Sequence, residues 1–179
     1  MWRKGTLRFG IAMACACAAA LAAVSAVWSG SSAQAPKLDA CSVLTREEIK
    51  TLSGRDPGAL EPGGNREPEV VTSCYWQKTS PRGSLSLFSN VSPDEPKGLA
   101  LKQLQDRGKK ARAVPGLGDD AVFLESPPET PGGTLFVRVG HYRASIFREA
   151  DSPNATSESV LPLLTAFAKT VVPKLRKAV

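Results

Sequence analysis

The chain has 179 residues, of which 42% are hydrophobic, 22% charged and only 6% aromatic, and its formal net charge is +6. Those values describe one ordinary soluble domain plus a short processed or anchoring segment. With one histidine and four cysteines, two of them in an N-terminal apolar run, the chain cannot build a three-histidine or four-cysteine metal centre, and most catalytic templates are excluded.

Arg3, Lys4 and Arg8 precede an uncharged stretch from Phe9 to Ala35, the layout of an export signal. Residues 1–33 are therefore expected to act as a signal peptide or membrane anchor, and residues 34–179 to form a single exported domain. The apolar part, Phe9 to Trp28, is long enough to span a bilayer, although its high alanine content inserts weakly. Ser31-Ser32-Ala33 supplies a small-x-small cleavage site, which would start the mature chain at Gln34. Cys15 and Cys17 lie within the apolar run. Ala12 stands where a lipobox carries an aliphatic residue, so these cysteines read as small hydrophobes, with lipidation as the alternative. The expected location is periplasmic, secreted or cell-envelope associated. Removing the leader's three cations leaves 20 against 17 acids, a net charge of about +3. That excess is too small to make nucleic acid a default partner, and a membrane is reached only through the N-terminal segment if it is retained.

Beyond the leader only Cys41 and Cys74 remain, and in an oxidising space they are expected to pair. Closing a loop of about 34 residues is worth roughly 3 to 4 kcal/mol on the chain-entropy account. A catalytic thiol would need a base within reach, and the one histidine, His141, falls in a turn.

In chain order, Leu44-Thr45-Arg46-Glu47-Glu48-Ile49 carries a capping box, with Leu44 and Ile49 as its hydrophobic staple, and Gly54 as a left-handed stop. Arg55 to Pro68 has no apolar periodicity and reads as an exposed loop. Val70–Lys78 and Ser84–Val91 are β-favouring runs, the second alternating so that Leu85 and Leu87 share one face. Pro93 to Pro96 ends it. Leu99, Leu101 and Leu104 suit a short helix ended by Gly108, and Arg107, Lys109, Lys110 and Arg112 follow as a basic patch, read as a solvated helix end. Ala121–Glu125, Thr134–Val139 and Tyr142–Glu149 predict three consecutive antiparallel strands, the last two joined by a Gly140-His141 turn. Val160, Leu164, Phe167, Val171 and Leu175 then mark an amphipathic helix, with Pro162 tolerable only in its first turn and Pro173 expected to fray its last. The predicted class is α+β. An antiparallel sheet of about five strands is packed on one side by an N-terminal helix, a middle helix and a C-terminal amphipathic helix, with one disulfide.

Four pieces of this text resemble a family of small exported and lipid-anchored bacterial proteins, best known in actinobacteria, whose molecular function is unassigned. They are Asp39-Ala40-Cys41-Ser42-Val43-Leu44-Thr45 running into Glu47-Glu48-Ile49 and Gly54; Cys74-Tyr75-Trp76; Val114-Pro115-Gly116-Leu117-Gly118-Asp119-Asp120-Ala121-Val122-Phe123; and the paired strands from Leu135. Their order and spacing, more than any one piece, carry the likeness, which covers most of the mature chain. The resemblance implies an α+β domain bridged from Cys41 to Cys74 and no established catalytic residues. The chain departs from the pattern in lacking a clear lipobox.

Site candidates are few. Gly116 to Asp120 has neither phosphate-loop nor calcium-loop spacing and reads as a tight turn. Tyr75 and Trp76, adjacent on a strand, must point to opposite faces, so one belongs to the core. If Gly140 and His141 form the turn, Arg138 lies directly opposite Arg143 on the non-core face, flanked by Phe136 and Phe147. Opposed like charges destabilise. Either an acid such as Glu125 or Glu149 offsets them, or the face meets an anionic or aromatic-bearing partner. Arg138, Arg143, Phe136 and Phe147 are thus the candidate interaction surface. No catalytic or metal residues and no cofactor are expected, and an enzyme is the least supported class. The expected function is that of a non-catalytic exported module binding a protein, polymer or small ligand of the cell envelope; the alternative is a membrane- or lipid-tethered accessory protein of an envelope complex.

Overall fold

A computed structural model describes residues 38–63, 71–76, 81–89, 92 and 94–179; the leader expected at residues 1–33 lies outside the described residues. The N-terminal helix forms where its signals predicted. Asp39 caps a single turn, α1 (Ala40–Val43). Thr45 then opens α2 (Arg46–Ser53) with both halves of the capping box, and Gly54 closes it at φ 70°. Leu44 and Ile49, the two ends of the staple, are both buried.

Seven antiparallel strands follow: β1 (Glu61–Gly63), β2 (Val71–Trp76), β3 (Gly83–Phe88), β4 (Ala111–Ala113), β5 (Asp120–Glu125), β6 (Gly132–Val139) and β7 (Tyr142–Glu149). They form one sheet in the order β1-β2-β3-β7-β6-β5-β4. The expectation of about five strands is thus corrected to seven. The two unforeseen ones are the edges, each three residues long, too short to show a period of two. β1 contains Pro62 within the stretch read as loop, and β4 carries Arg112 within the basic patch. Short edges bearing proline or charge are how sheets resist pairing with other chains.

The topology has one long connection. β1-β2-β3 and β4-β5-β6-β7 are two meanders that meet at the β3–β7 pair. The chain leaving β3 must therefore reach the far edge before coming back, crossing four strand spacings, roughly 19 Å. It does so through α3 (Leu99–Asp106).

One face of the sheet is the core. The last helix, α4 (Leu161–Arg176), follows a 3-10 turn (Ser157–Val160) and buries Leu164, Phe167, Ala168, Val171, Val172 and Leu175. These meet Leu135, Val137, Ile146 and Phe123 from the strands. Pro162 sits in the first turn as required, whereas Pro173 is carried inside the helix, which continues to Arg176. Trp76, 2% exposed, packs edge-on against Phe167 at 6.0 Å. Its ring covers Gly83, the residue paired with it across β2 and β3, where any side chain would collide with the indole. α2 is tied to α4 by Lys174, whose Nζ donates to Glu48 Oε1 at 2.7 Å and to the Val43 carbonyl at 2.9 Å. Cys41 and Cys74 form a disulfide that pins α1 to β2.

Helices do not all share one side, as the sequence had suggested. The α3 segment lies on the opposite, outer face, where Ala100 stands over Val122 and Phe136. Val122, pointing away from α4, is only 1% exposed for that reason.

Candidate binding surface

The outer face is best followed in rows across the strands, because antiparallel register places one residue per strand side by side. The first row runs Phe88, Arg143, Arg138, Asp120. The second runs Gly63, Ser73, Ser86, Ser145, Phe136, Val122, Ala113, and the third Glu61, Tyr75, Ser84, Phe147, Thr134, Leu124, Ala111.

The hairpin that generates these rows has the register expected of a Gly140-His141 turn, with Val139 opposite Tyr142 and Arg138 opposite Arg143. Gly140 has φ 54°, the positive value both primed hairpin turns require at their first central residue. Its N–H donates to Asp119 Oδ2 at 2.7 Å, so the Gly116–Asp120 turn clamps the hairpin tip. Gly118, at φ 59°, lies so close to the Arg138 carbonyl that a side chain there would strike it. The two aspartates of that turn therefore serve structure: the second, Asp120, accepts the Gly98 N–H at 2.8 Å.

The crossover from β3 is strapped along the first row, strand by strand. Glu95 accepts from Arg143 Nη2 at 2.7 Å on β7, its backbone carbonyl accepts from Arg138 Nη1 at 2.7 Å on β6, and Gly98 reaches Asp120 on β5. An acid does sit against the opposed arginines, as one of the two expectations had it, but it is Glu95, paired through its carboxylate with Arg143, and neither of the examples Glu125 and Glu149. Glu149 is engaged elsewhere, accepting from Arg82 Nε at 2.7 Å. Glu95 sits in a proline-flanked loop without periodicity, and only the path of the crossover brings it over the sheet. α3 itself buries no residue, so these polar contacts are a large part of what holds the strap.

Arg138 is 7% exposed and Arg143 half-buried, whereas Phe136 and Phe147 are half-buried on the outer face. The four residues of the expected surface accordingly divide. The arginines lie under or beside the strap. Phe147 lies on the third row, four residues further along the strand from Arg143 and hence roughly 13 Å away.

No described segment straps that third row. Tyr75, at 48% exposure, is the one large hydrophobic side chain on the sheet that is exposed among the described residues. Its strand neighbour Trp76 is in the core, as period-two alternation demands. At its far end the row enters a cleft of about 590 Å³, walled by Pro127, Pro128 and Pro131, floored in part by Thr134 and Leu124, and edged by Lys109 and Lys110. This volume falls in the usual range for ligand sites, about 300 to 1,000 Å³. Both lysines are exposed, and neither forms an ion pair with any described residue. The basic patch divides at this point: Arg112 turns to the inner face, paired with Glu158 and lying 5.6 Å from the Phe123 ring centroid.

Among the described residues no three metal-ligating side chains come together, and His141 is exposed at the hairpin tip. Sequence reasoning missed Glu95, the cleft and the third row as a unit. The alternation of Tyr75 with Trp76 and the placing of Phe147 on the non-core face each pointed to one member of that row.

The fold and surface define a disulfide-bridged α+β protein built on a seven-stranded antiparallel sheet, with one face packed by helices and, among the described residues, only the first part of the other crossed by a strap. No family model, no curated protein and no solved structure matches the chain.

Proposed function

We propose that the protein is a non-catalytic exported module that binds a component of the cell envelope through the open half of its outer sheet face, and that it belongs with the exported bacterial proteins it resembles. The observation that carries this reading is Tyr75, a large aromatic held in solvent at 48% exposure in register with the half-buried Phe147. An amphipathic ring costs little polar desolvation when covered, which is why tyrosine recurs at recognition surfaces. Export is supported by the cationic and then apolar residues 3–35 and by the Cys41–Cys74 bond, a linkage that persists in oxidising compartments. The non-catalytic part is supported by the engagement of the nearby acids: Glu95 and Asp120 hold the strap, and Asp119 holds the hairpin.

The test is retention of envelope extract on the immobilised protein, compared with Tyr75→Ala. A species held by the unaltered protein and lost from the variant supports the reading. Identical profiles from the two overturn it.

A further inference from the structure

We infer that the third row and the cleft form one continuous site for an acidic glycan, a polysaccharide bearing carboxylate or phosphate groups. The inference rests on the binding-module reading and names its ligand class.

Three features of the surface converge on that class. The row alternates chemically as well as sterically: Tyr75, Ser84, Phe147 and Thr134 are aromatic, hydroxyl, aromatic, hydroxyl on successive strands. Strands are roughly 4.8 Å apart, so the aromatic positions recur every 9.6 Å or so. A pyranose ring is about as long as one strand spacing, and glycan chains present C–H faces and hydroxyls in turn. Aromatic faces take the first and side-chain hydroxyls the second. Ser86 and Ser145, on the adjoining row beside Ser84 and Phe147, add further hydroxyls.

The second feature is the charge at the end of the row. Lys109 and Lys110 border the cleft into which Thr134 leads, against the single carboxylate of Glu125 in its lining; the acid of the row itself, Glu61, lies at the opposite end, on β1 beside Tyr75. Lysine ammonium groups are mobile point charges that meet carboxylate or phosphate without demanding a fixed geometry. The cleft therefore favours an anionic end or branch on the chain that the aromatic row supports.

The third feature argues against a peptide strand as occupant. Peptides are most readily added at sheet edges, yet both edges here are three-residue strands, one containing Pro62 and the other bearing Arg112. What remains open is a face with rings and hydroxyls, and it offers no row of backbone N–H and C=O groups.

The experiment is affinity electrophoresis of the full chain, disulfide intact, through gels containing polygalacturonate, phosphomannan, neutral dextran or poly-L-glutamate. Retardation by polygalacturonate or phosphomannan, well above that by dextran and poly-L-glutamate, is the expected result, and the stronger of the two identifies the acid. Tyr75→Ala and, separately, Lys109→Gln with Lys110→Gln should each weaken that retention by about tenfold. Lys50→Gln with Lys169→Gln, which removes the same charge from exposed positions on α2 and α4, should change it by less than about twofold. All these positions are exposed, so folding is preserved and is checked by circular dichroism. Equal retardation by poly-L-glutamate, indifference to Tyr75→Ala, or no retardation by either acidic glycan overturns the inference. If envelope material is still captured in a Tyr75-dependent way while both acidic glycans fail, the ligand class is wrong and the binding-module reading stands.

Discussion

Breaking the strap at Glu95 is the most direct check on how the outer face is organised. Glu95→Gln removes the carboxylate that binds Arg143 at 2.7 Å, leaving the backbone carbonyl that accepts from Arg138. A charge-assisted hydrogen bond of this kind is worth roughly 1.5 to 3 kcal/mol when buried. The Arg143 and Glu95 side chains are 31% and 21% exposed, and solvent screening at that exposure brings the expected cost down to about 1 to 2 kcal/mol. Arg143→Gln should cost less, about 0.5 to 1 kcal/mol, because it also relieves the repulsion between opposed guanidinium groups. With both changes made, most of the second loss has already been incurred. The double variant should therefore fall short of the sum of the singles by on the order of 1 kcal/mol. Urea unfolding of the four proteins with the disulfide intact, followed by circular dichroism, measures the cycle. Additivity within about 0.3 to 0.5 kcal/mol would refute the claim that Glu95 is what reconciles the two arginines. Hydrogen exchange gives an independent reading: amides of 98–106 should lose protection in Glu95→Gln while those of β6 and β7 keep theirs.

Replacing Cys41 and Cys74 together with alanine should lower stability by roughly 3 to 4 kcal/mol, given the 33-residue separation of the bridge; native protein should be lighter than the reduced form by the mass of two hydrogens, and two free thiols on alkylation would refute the pairing. Gly83→Ala should destabilise by roughly 1 to 3 kcal/mol, since the added methyl meets the buried Trp76 ring and the strand must shift; an unchanged urea midpoint would show that the indole does not cover that glycine. Acid should weaken the N-terminal region first. The Glu48 carboxyl is pushed up by burial but pulled down further by hydrogen bonds from Lys174 and Thr45, for a net depression, and Asp56 is held at about 2 by the Arg46 guanidinium and the Gly58 N–H. Both groups bind protons more readily when unfolded, so the stabilisation from each is complete above its ordinary value, 4.5 for Glu48 and 3.8 for Asp56, and is lost as pH falls through its depressed folded-state value, about 2 for Asp56. Glu48→Gln should flatten the pH dependence of the urea midpoint across that window, and a slope unchanged from the unaltered protein would count against it.

Much of the fold was written locally. The capping box at Thr45, the alternation of Leu85 and Leu87, the Gly140-His141 turn with the Arg138 and Arg143 register it dictates, and the spacing of Leu164, Phe167, Val171 and Leu175 all depend on residues within a few positions of one another. Helical and strand periods report such information directly. The Cys41–Cys74 pair was legible by count alone. Tertiary structure alone decided the rest. β1 and β4 are strands because long neighbours present unpaired edges to them; three residues carry no period of their own. Glu95 meets Arg138 and Arg143 because β4 lies at the far edge of the sheet, so that the chain leaving β3 must pass over β7 and β6 on the face that α4 leaves uncovered. That single crossover strapped the row of Arg138 and Arg143, one part of the surface expected from the sequence, and left the row of Tyr75 and Phe147, which holds another part of it, without a strap among the described residues. Pairing order across a sheet depends on contacts between residues far apart in the chain, which no local pattern encodes.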